Sequence, residues 1–173
     1  MRQIIFVALI IFWAGCASEQ AGKVLRVDPR EIQDTDANYG VEDLHLFVHK
    51  MVSSMLQSLL IATEPKKYLA LGDIKIGSGV DEHIDILLIK NSIRTNLIKS
   101  TKINFIDTEY LKKLNGDQGI VKDFLLSGDL HAIKKDNRKA VDNFYALTLI
   151  LTDVKTSEIV WTEEKEIRKM ILK

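Results

Sequence analysis

The chain has 173 residues, of which 46% are hydrophobic and 28% are charged, a balance typical of one compact globular domain. Lysine plus arginine and aspartate plus glutamate each number 24, so no net charge draws the chain toward nucleic acid. A nucleic-acid-binding function is therefore disfavoured.

The N-terminus has the features of an export signal. Arg2 supplies a short positive region, residues 4–13 form an apolar run, and Ala14 and Gly15 are the small residues that signal peptidases require. The run is too short to cross a hydrocarbon core of ~30 Å as a helix. We therefore predict a signal peptide over residues 1–15.

Cys16, the single cysteine of the sequence, follows this run directly. The position resembles the lipobox of bacterial lipoproteins, although Trp13 stands where leucine is usual. A lone thiol has no partner for an intramolecular disulfide, whereas acyl chains on it would anchor the protein firmly. We predict lipidation of Cys16; the alternative is a chance cysteine after an ordinary signal peptide. By analogy with enterobacterial lipoproteins, Ala17 and Ser18 lack the aspartate that causes inner-membrane retention, which indicates the periplasmic face of the outer membrane.

Residues 17–40 are polar, contain Pro29 and show no sustained periodicity. Together with the lipidated Cys16 they are predicted to form a flexible tether over residues 16–40. An ordered edge strand over residues 23–27 is the alternative.

Residues 41–62 are predicted to form a helix that docks on a sheet, because apolar residues recur at a spacing of three and four. The stripe comprises Leu44, Phe47, Val48, Met51, Val52, Met55, Leu56, Leu59 and Leu60. His45 and His49 stand four apart on this helix, a spacing that can bind a metal. Position 46 is leucine rather than the glutamate of an HExxH site, so we place both histidines at the margin of the stripe and predict no metal.

The middle of the chain alternates strands and helices. Residues 68–76 are predicted as a strand, 102–107 as another, and 108–115 as a short helix that Gly116 ends. Asp81 is predicted to cap a helix that runs to Lys99. The residues expected in the core from that helix are Ile86, Ile89, Ile93 and Leu97.

Gly77-Ser78-Gly79 allows two interpretations. A glycine-rich loop can cradle a phosphate, but this one lacks the Lys-Ser/Thr pair of a P-loop and the third glycine of a dinucleotide site. A flexible turn is the favoured interpretation.

Residues 124–169 read as three strands in an antiparallel meander, since apolar and polar residues alternate and the breaks between runs are short and polar. The predicted buried set is Phe124, Leu126, Leu130, Ala132, Tyr145, Leu147, Leu149, Leu151, Ile159 and Trp161. The predicted opposite set includes Ser127, Asp129, His131, Phe144, Ala146, Thr148, Ile150, Thr152, Thr162, Glu164 and Glu166.

The segments DFLLSGDL and FYALTLILTDVKTSEIVWTEEKEIRK resemble the C-terminal half of the LpoB-like lipoproteins, which activate penicillin-binding proteins. DEHID and SIRTNLIKSTKINFID extend the resemblance upstream, so that it covers about residues 41–169. The chain departs from the family at residues 74–80, IKIGSGV, and in having a shorter tether.

Sequence motifs for catalysis are missing: the chain has neither a G-x-S-x-G elbow nor an S-x-x-K motif. Asp129 and His131 lie two apart on one strand face, and an acid–base pair of a periplasmic hydrolase is one interpretation. A solvated contact is the favoured one, and we predict a protein that is not an enzyme and needs no cofactor.

The cluster Glu163, Glu164, Lys165, Glu166 and Arg168 carries mixed charge, and Lys169 extends it. It is either a solubilising strand edge that resists edge-to-edge pairing or a partner-binding surface, where mixed charge contributes specificity. The sequence leaves both interpretations open.

The element order predicts an α/β sandwich over residues 41–173, with a mostly antiparallel sheet of four or five strands covered by helices. The resemblance implies an outer-membrane lipoprotein that binds a class A penicillin-binding protein and stimulates its glycosyltransferase and transpeptidase activities. The alternative is a structural, secretion-associated or flagellum-associated outer-membrane lipoprotein of related fold.

Overall fold

The computed structural model describes residues 37–58, 61, 65–80, 84–113 and 121–173. The predicted signal peptide, Cys16, the tether up to residue 36 and the predicted strand over 23–27 lie outside the described residues.

Three helices and five strands form within this part of the chain. The helices are α1 (Val41–Gln57), α2 (Ile86–Lys99) and α3 (Thr108–Lys113). The strands are β1 (Tyr68–Ile76), β2 (Asn104–Ile106), β3 (Phe124–Asp136), β4 (Ala140–Asp153) and β5 (Ile159–Leu172). They form one sheet in the order β2-β1-β3-β4-β5, in which β1 runs parallel to both neighbours and β3-β4-β5 form an antiparallel meander. The predicted α/β class and the meander are confirmed.

The core lies on one face of the sheet, which we call the inner face. Tyr145, Leu147, Leu149 and Leu151 alternate along β4, and each has no exposed surface. Helix α1 packs against α2 and β5, while α2 packs on β1 and β2. Both helices therefore cover the inner face.

The opposite side of β3, β4 and β5 carries mostly exposed or half-buried side chains, and we call it the open face. Its residues follow from the strand register. They are Ser127, Asp129, His131, Ile133 and Lys135 of β3, Asp142, Phe144, Ala146, Thr148 and Ile150 of β4, and Thr162, Glu164, Glu166, Arg168 and Met170 of β5.

Helix α1 ends earlier than its apolar stripe predicts. Its last residue is Gln57, because Ser58 takes an extended conformation with ψ of 144°. The predicted stripe residues Leu59 and Leu60 lie outside the described residues, whereas Ile61 is buried in the core. At the other end, the carboxylate of Asp43 accepts a hydrogen bond from the Gly40 N–H at 2.7 Å, which satisfies one free donor of the helix start.

Helix α2 begins at Ile86, so the predicted start at Asp81 is wrong. Asp85 is the cap, and its Oδ1 accepts hydrogen bonds from the N–H groups of Leu87 and Leu88 at 2.8 and 3.3 Å. Asp81 itself lies outside the described residues. Ile89, Ile93 and Leu97 are buried as predicted, but Ile86, in the first turn, is only partly buried.

The strand after α2 is shorter than predicted, since β2 covers only Asn104–Ile106 within the predicted 102–107. The short helix that follows is present as α3 over Thr108–Lys113. Its predicted end at Asn115 and Gly116 lies outside the described residues.

A bulge at the start of β5 overturns one predicted face. Trp161 pairs with Leu151, but Ile159 pairs with Thr152, so Val160 is an extra residue between them. The extra residue reverses the alternation, and Ile159 is 62% exposed instead of sharing the buried face with Trp161. Val160 and Trp161 both pack against the core.

Residues 37–40, expected in the tether, pack against the domain. Ala37 is buried, and its carbonyl accepts a hydrogen bond from the Asn143 side chain at 2.9 Å. The Tyr39 ring lies 5.6 Å from the Tyr145 ring and 5.8 Å from the Phe47 ring, centroid to centroid. Burial raises the pKa of the Tyr39 hydroxyl, and the negative charge of the nearby Asp43 carboxylate raises it further. The packed domain therefore includes Ala37.

The Gly77-Ser78-Gly79 turn packs on β3. A side chain at Gly77 would overlap the imidazole of His131, and one at Gly79 would overlap the Ala132 carbonyl. Gly79 also has φ of +82°, which favours glycine. The turn lies so close to β3 that neither position has room for a side chain, which explains why both are glycine.

Leu149→Ala and Ile159→Ala test the bulged register. Leu149 is fully buried, so its truncation should lower the free energy of unfolding by about 2–5 kcal/mol. Ile159 faces solvent, so its truncation should change that free energy by less than about 0.5 kcal/mol. Urea denaturation of the full chain measures both. A loss at Ile159 comparable to that at Leu149 would contradict the bulge.

Candidate functional site

The five residues of the predicted partner-binding surface lie on two sides of β5. Side chains alternate along a strand, so Glu164, Glu166 and Arg168 belong to the open face, while Glu163 and Lys165 point to the side that carries α1. The first three are exposed and the other two are half-buried. The cluster is therefore two surfaces rather than one.

On the α1 side, the Glu163 carboxylate lies 2.7 Å from the Lys165 ammonium. Burial raises the pKa of Glu163, but hydrogen bonds from Lys165 and Ser54 outweigh it, and the net pKa is lowered. Ser54, together with His49, lines a shallow groove of about 630 Å³ between α1 and Trp161. Glu163 thus contributes to the α1–β5 contact.

Lys169, at the end of the same cluster, has a structural role. Its ammonium lies 2.7 Å from the Asp43 carboxylate, and the two side chains are only 10% and 6% exposed. The ammonium also donates to the Asn38 carbonyl at 3.0 Å. Lys169 therefore joins β5 to the start of α1 and to the segment before it.

On the open face, two of the charged residues of β5, Arg168 and Glu164, form hydrogen bonds with side chains of β4. The Arg168 guanidinium donates two hydrogen bonds to Asp142, at 2.9 and 2.8 Å. This bidentate contact lowers the pKa of Asp142 and raises that of Arg168. The Glu164 carboxylate accepts a hydrogen bond from the Thr148 hydroxyl at 2.8 Å. Two of the three open-face members are thus held in fixed positions.

Apolar side chains lie next to this fixed charge. A groove of about 300 Å³ is lined by Ile133, Lys135, Asp142, Phe144 and Arg168. Ile133 is 58% exposed although it is apolar, and Phe144 lies between it and Arg168 in the register. An exposed apolar centre edged by paired charges is typical of a protein-binding surface. The alternation predicted an outward Phe144, but only the register brings it beside Arg168.

Asp129 and His131 meet on the open face as predicted. The His131 Nε2 and Asp129 Oδ2 atoms are 3.3 Å apart, with side chains 55% and 35% exposed. The His131 ring also packs directly over Gly77, where an added side chain would overlap it. The pair is a solvent-exposed contact that also supports the turn after β1.

The histidines of α1 are exposed on the helix surface, in keeping with their predicted position beside the apolar stripe. Over the described ranges, no three His, Cys, Asp or Glu side chains lie close enough together to hold a metal ion.

A comparison with protein families matches the chain to the model of the peptidoglycan-synthase activator LpoB, over residues 43–122 and 117–167. The match covers more than half of the chain. The chain belongs to the LpoB family. LpoB-like activators are regulators of peptidoglycan synthesis rather than enzymes.

Solved LpoB structures share this fold. The C-terminal domain of Escherichia coli LpoB superposes with a TM-score of 0.53 at 16% identity, covering 73% of this chain and 99% of that one. The Salmonella enterica domain gives a TM-score of 0.52, with the same identity and coverage. No curated protein sequence matches the chain.

Lys169→Met tests the buried ion pair. Removing the ammonium leaves the Asp43 carboxylate buried without its cation, so the free energy of unfolding should fall by about 3–5 kcal/mol. Arg168→Met, which breaks a solvent-exposed pair one residue away, should cost much less. Adding Asp43→Asn to Lys169→Met should recover part of the loss. Equal losses for the two single variants in urea denaturation would contradict a special role for Lys169.

Proposed function

We propose that the protein is an outer-membrane lipoprotein that binds a class A penicillin-binding protein and activates it. The observation that carries the proposal is the open face of a member of the activator family, where Glu164, Glu166 and Arg168 of β5 lie on the same side of the sheet as the exposed Ile133. Mixed charge beside exposed apolar side chains suits recognition of one specific partner.

The open face suits activation because it is already ordered. The contacts from Arg168 to Asp142 and from Glu164 to Thr148 hold the charges before any partner arrives. A rigid surface of this kind loses little conformational entropy on binding. It can activate the synthase only by binding the synthase's active conformation more tightly than its inactive one.

Cys16 is the proposed site of the lipid anchor. Among the described residues, no helix has the length and apolar character needed to cross a membrane. The chain between Cys16 and Ala37 reaches at most about 70 Å when fully extended at ~3.3 Å per residue. Under this proposal, contact with a synthase in the other membrane depends on access through the cell wall within that reach.

Glycan polymerisation from lipid II tests activation directly. The class A synthase of the same organism is assayed with the detergent-solubilised full chain, and with heat-unfolded chain as the control. We expect a faster rate only with the folded chain. An unchanged rate with folded chain well above micromolar concentration would contradict activation, and ring-like oligomers of the pure chain would then favour the structural or secretion role.

Glu166→Lys should weaken activation by the open face. Glu166 is exposed and lies opposite Ala146 in the register, so the substitution reverses a charge without disturbing the core. We expect the half-activating concentration to rise about tenfold, equivalent to ~1.4 kcal/mol of binding free energy. Glu158→Lys, the same charge reversal in the exposed β4–β5 turn, is the control. Equal effects of both variants would argue against the open face.

Cys16→Ser should release the protein from membranes. The hydroxyl cannot form the thioether to diacylglycerol, so the anchor is lost. We expect the variant in the soluble periplasmic fraction and without label in cells fed radioactive palmitate. Labelled, membrane-bound variant would show that Cys16 is not the anchor.

A further inference from the structure

A second surface lies at the other edge of the sheet, where α2 extends beside the short strand β2. The groove there has a volume of about 510 Å³ and is lined by Tyr68, Arg94, Ile98, Ile103, Asn104, Phe105 and Asp107. The activator function proposed above does not use it.

Arg94 is the unusual group in this groove. Its side chain is half-buried, and its Nε atom is fully buried with no hydrogen-bond partner within the described part of the chain. Its Nη1 atom donates only a long hydrogen bond, 3.3 Å, to the side-chain oxygen of Asn91. No described carboxylate lies within ion-pair distance of it. A guanidinium that is partly desolvated without a carboxylate is costly, and its fork of donors matches a carboxylate.

Asp107 also lines the groove but is engaged elsewhere. Its Oδ1 accepts a hydrogen bond from the Tyr110 N–H at 3.0 Å and so caps α3. Three exposed lysines adjoin the groove. Lys99 follows Ile98 and Lys102 precedes Ile103, while the Lys66 carbonyl accepts a hydrogen bond from the Asn104 side chain. Asp123, whose carboxylate accepts a hydrogen bond from the Tyr68 N–H at 2.9 Å, adds one further negative charge beside the groove. Arg94 and the three lysines still outnumber the two aspartates, which favours an acidic ligand.

The edge of β2 offers backbone groups beside Arg94. The Asn104 N–H donates to the Lys67 carbonyl at 2.9 Å, toward β1. Successive residues of a strand direct their backbone groups to opposite sides, so the N–H and C=O of Phe105 point away from β1. Among the described strands β2 is the edge of the sheet, so these groups can pair with a further strand, as in peptides that bind by extending a sheet.

Helix α2 carries a stripe that such a strand would cover. Leu87, Asn91, Arg94 and Ile98 recur at spacings of four, three and four, so they share one side of the helix. Leu87 and Ile98 are 54% and 53% exposed. The stripe is about 16 Å long at 1.5 Å per residue, the length of roughly five residues of extended chain.

We propose that this groove binds an extended acidic segment of a partner protein, added to the edge of β2. One glutamate or aspartate of the segment pairs with Arg94, and apolar residues two positions away on either side cover Leu87 and Ile98. This site is separate from the open face and does not depend on synthase activation.

The probe is the peptide acetyl-Leu-Thr-Glu-Thr-Leu-amide, which places both leucines on the same side as the glutamate. Its control, acetyl-Leu-Thr-Gln-Thr-Leu-amide, differs only in the charge. Titration into the ¹⁵N-labelled full chain in detergent follows the Arg94 Nε–H signal and the Phe105 amide signal. We expect saturable shifts of both, with a Kd of about 1 mM or tighter, and at least tenfold weaker binding of the control.

Three variants complete the test. Arg94→Gln should weaken binding of the acidic peptide at least tenfold and abolish its preference over the control peptide. Ile98→Glu, at an exposed position outside the core, should weaken binding by repulsion and serves if Arg94→Gln folds poorly. Arg138→Gln is the control, because it removes an exposed guanidinium from the β3–β4 turn at the opposite end of the sheet. It should leave the affinity for both peptides unchanged. Equal binding of the two peptides, shifts confined to other residues, or no binding at 10 mM would overturn the proposal.

Discussion

Burial of the inner face of β4 in the core that it shares with α1 and α2 is the interaction on which the rest of the structure depends. Tyr145, Leu147, Leu149 and Leu151 lie on the central strand of the meander and have no exposed surface. Full burial of side chains of this size contributes about 1.5–3 kcal/mol each. Because α1 and α2 both cover this face, the opposite side of the meander is left to solvent or to a partner.

The same arrangement determines what each part of β5 can do. Glu163, Lys165 and Lys169 point toward α1 and take part in holding the helix to the sheet edge. Glu164, Glu166 and Arg168 alternate with them and face outward. One strand thus carries a structural set and the set proposed to bind the partner, and neither can be moved to the other face without shifting the register.

The sequence predicted the features that depend on local pattern. The three-four spacing in α1 and the alternation in β3 and β4 identified the buried residues there. The short polar break after β4 forms a turn, in which the Asp153 carboxylate accepts hydrogen bonds from the N–H groups of Lys155 and Thr156. These hydrogen bonds lower the pKa of Asp153. Asp153 and Thr156 both lie in the segment that resembles the LpoB family, and their contacts in this turn explain their presence there.

Other features depend on contacts between distant parts of the chain, and the sequence carries no signal for them. The bulge adds Val160, an apolar β-branched residue that looks like any other strand position. Asp81 and Asp85 are equally good caps in isolation, and only packing of α2 on the sheet selects Asp85. The pairing of Lys169 with Asp43 and the groove around Arg94 join segments that no periodicity relates.

The most direct test of the account is where the synthase touches the protein. A photo-crosslinking amino acid is placed at position 166 on the open face, or at position 50 on the exposed surface of α1, and the adducts formed in cells are identified by mass. If the open face binds the synthase, position 166 should give an adduct with a class A penicillin-binding protein and position 50 should give none. An adduct from position 50 alone would contradict it, because the partner would then bind the helix side of the domain rather than the open face.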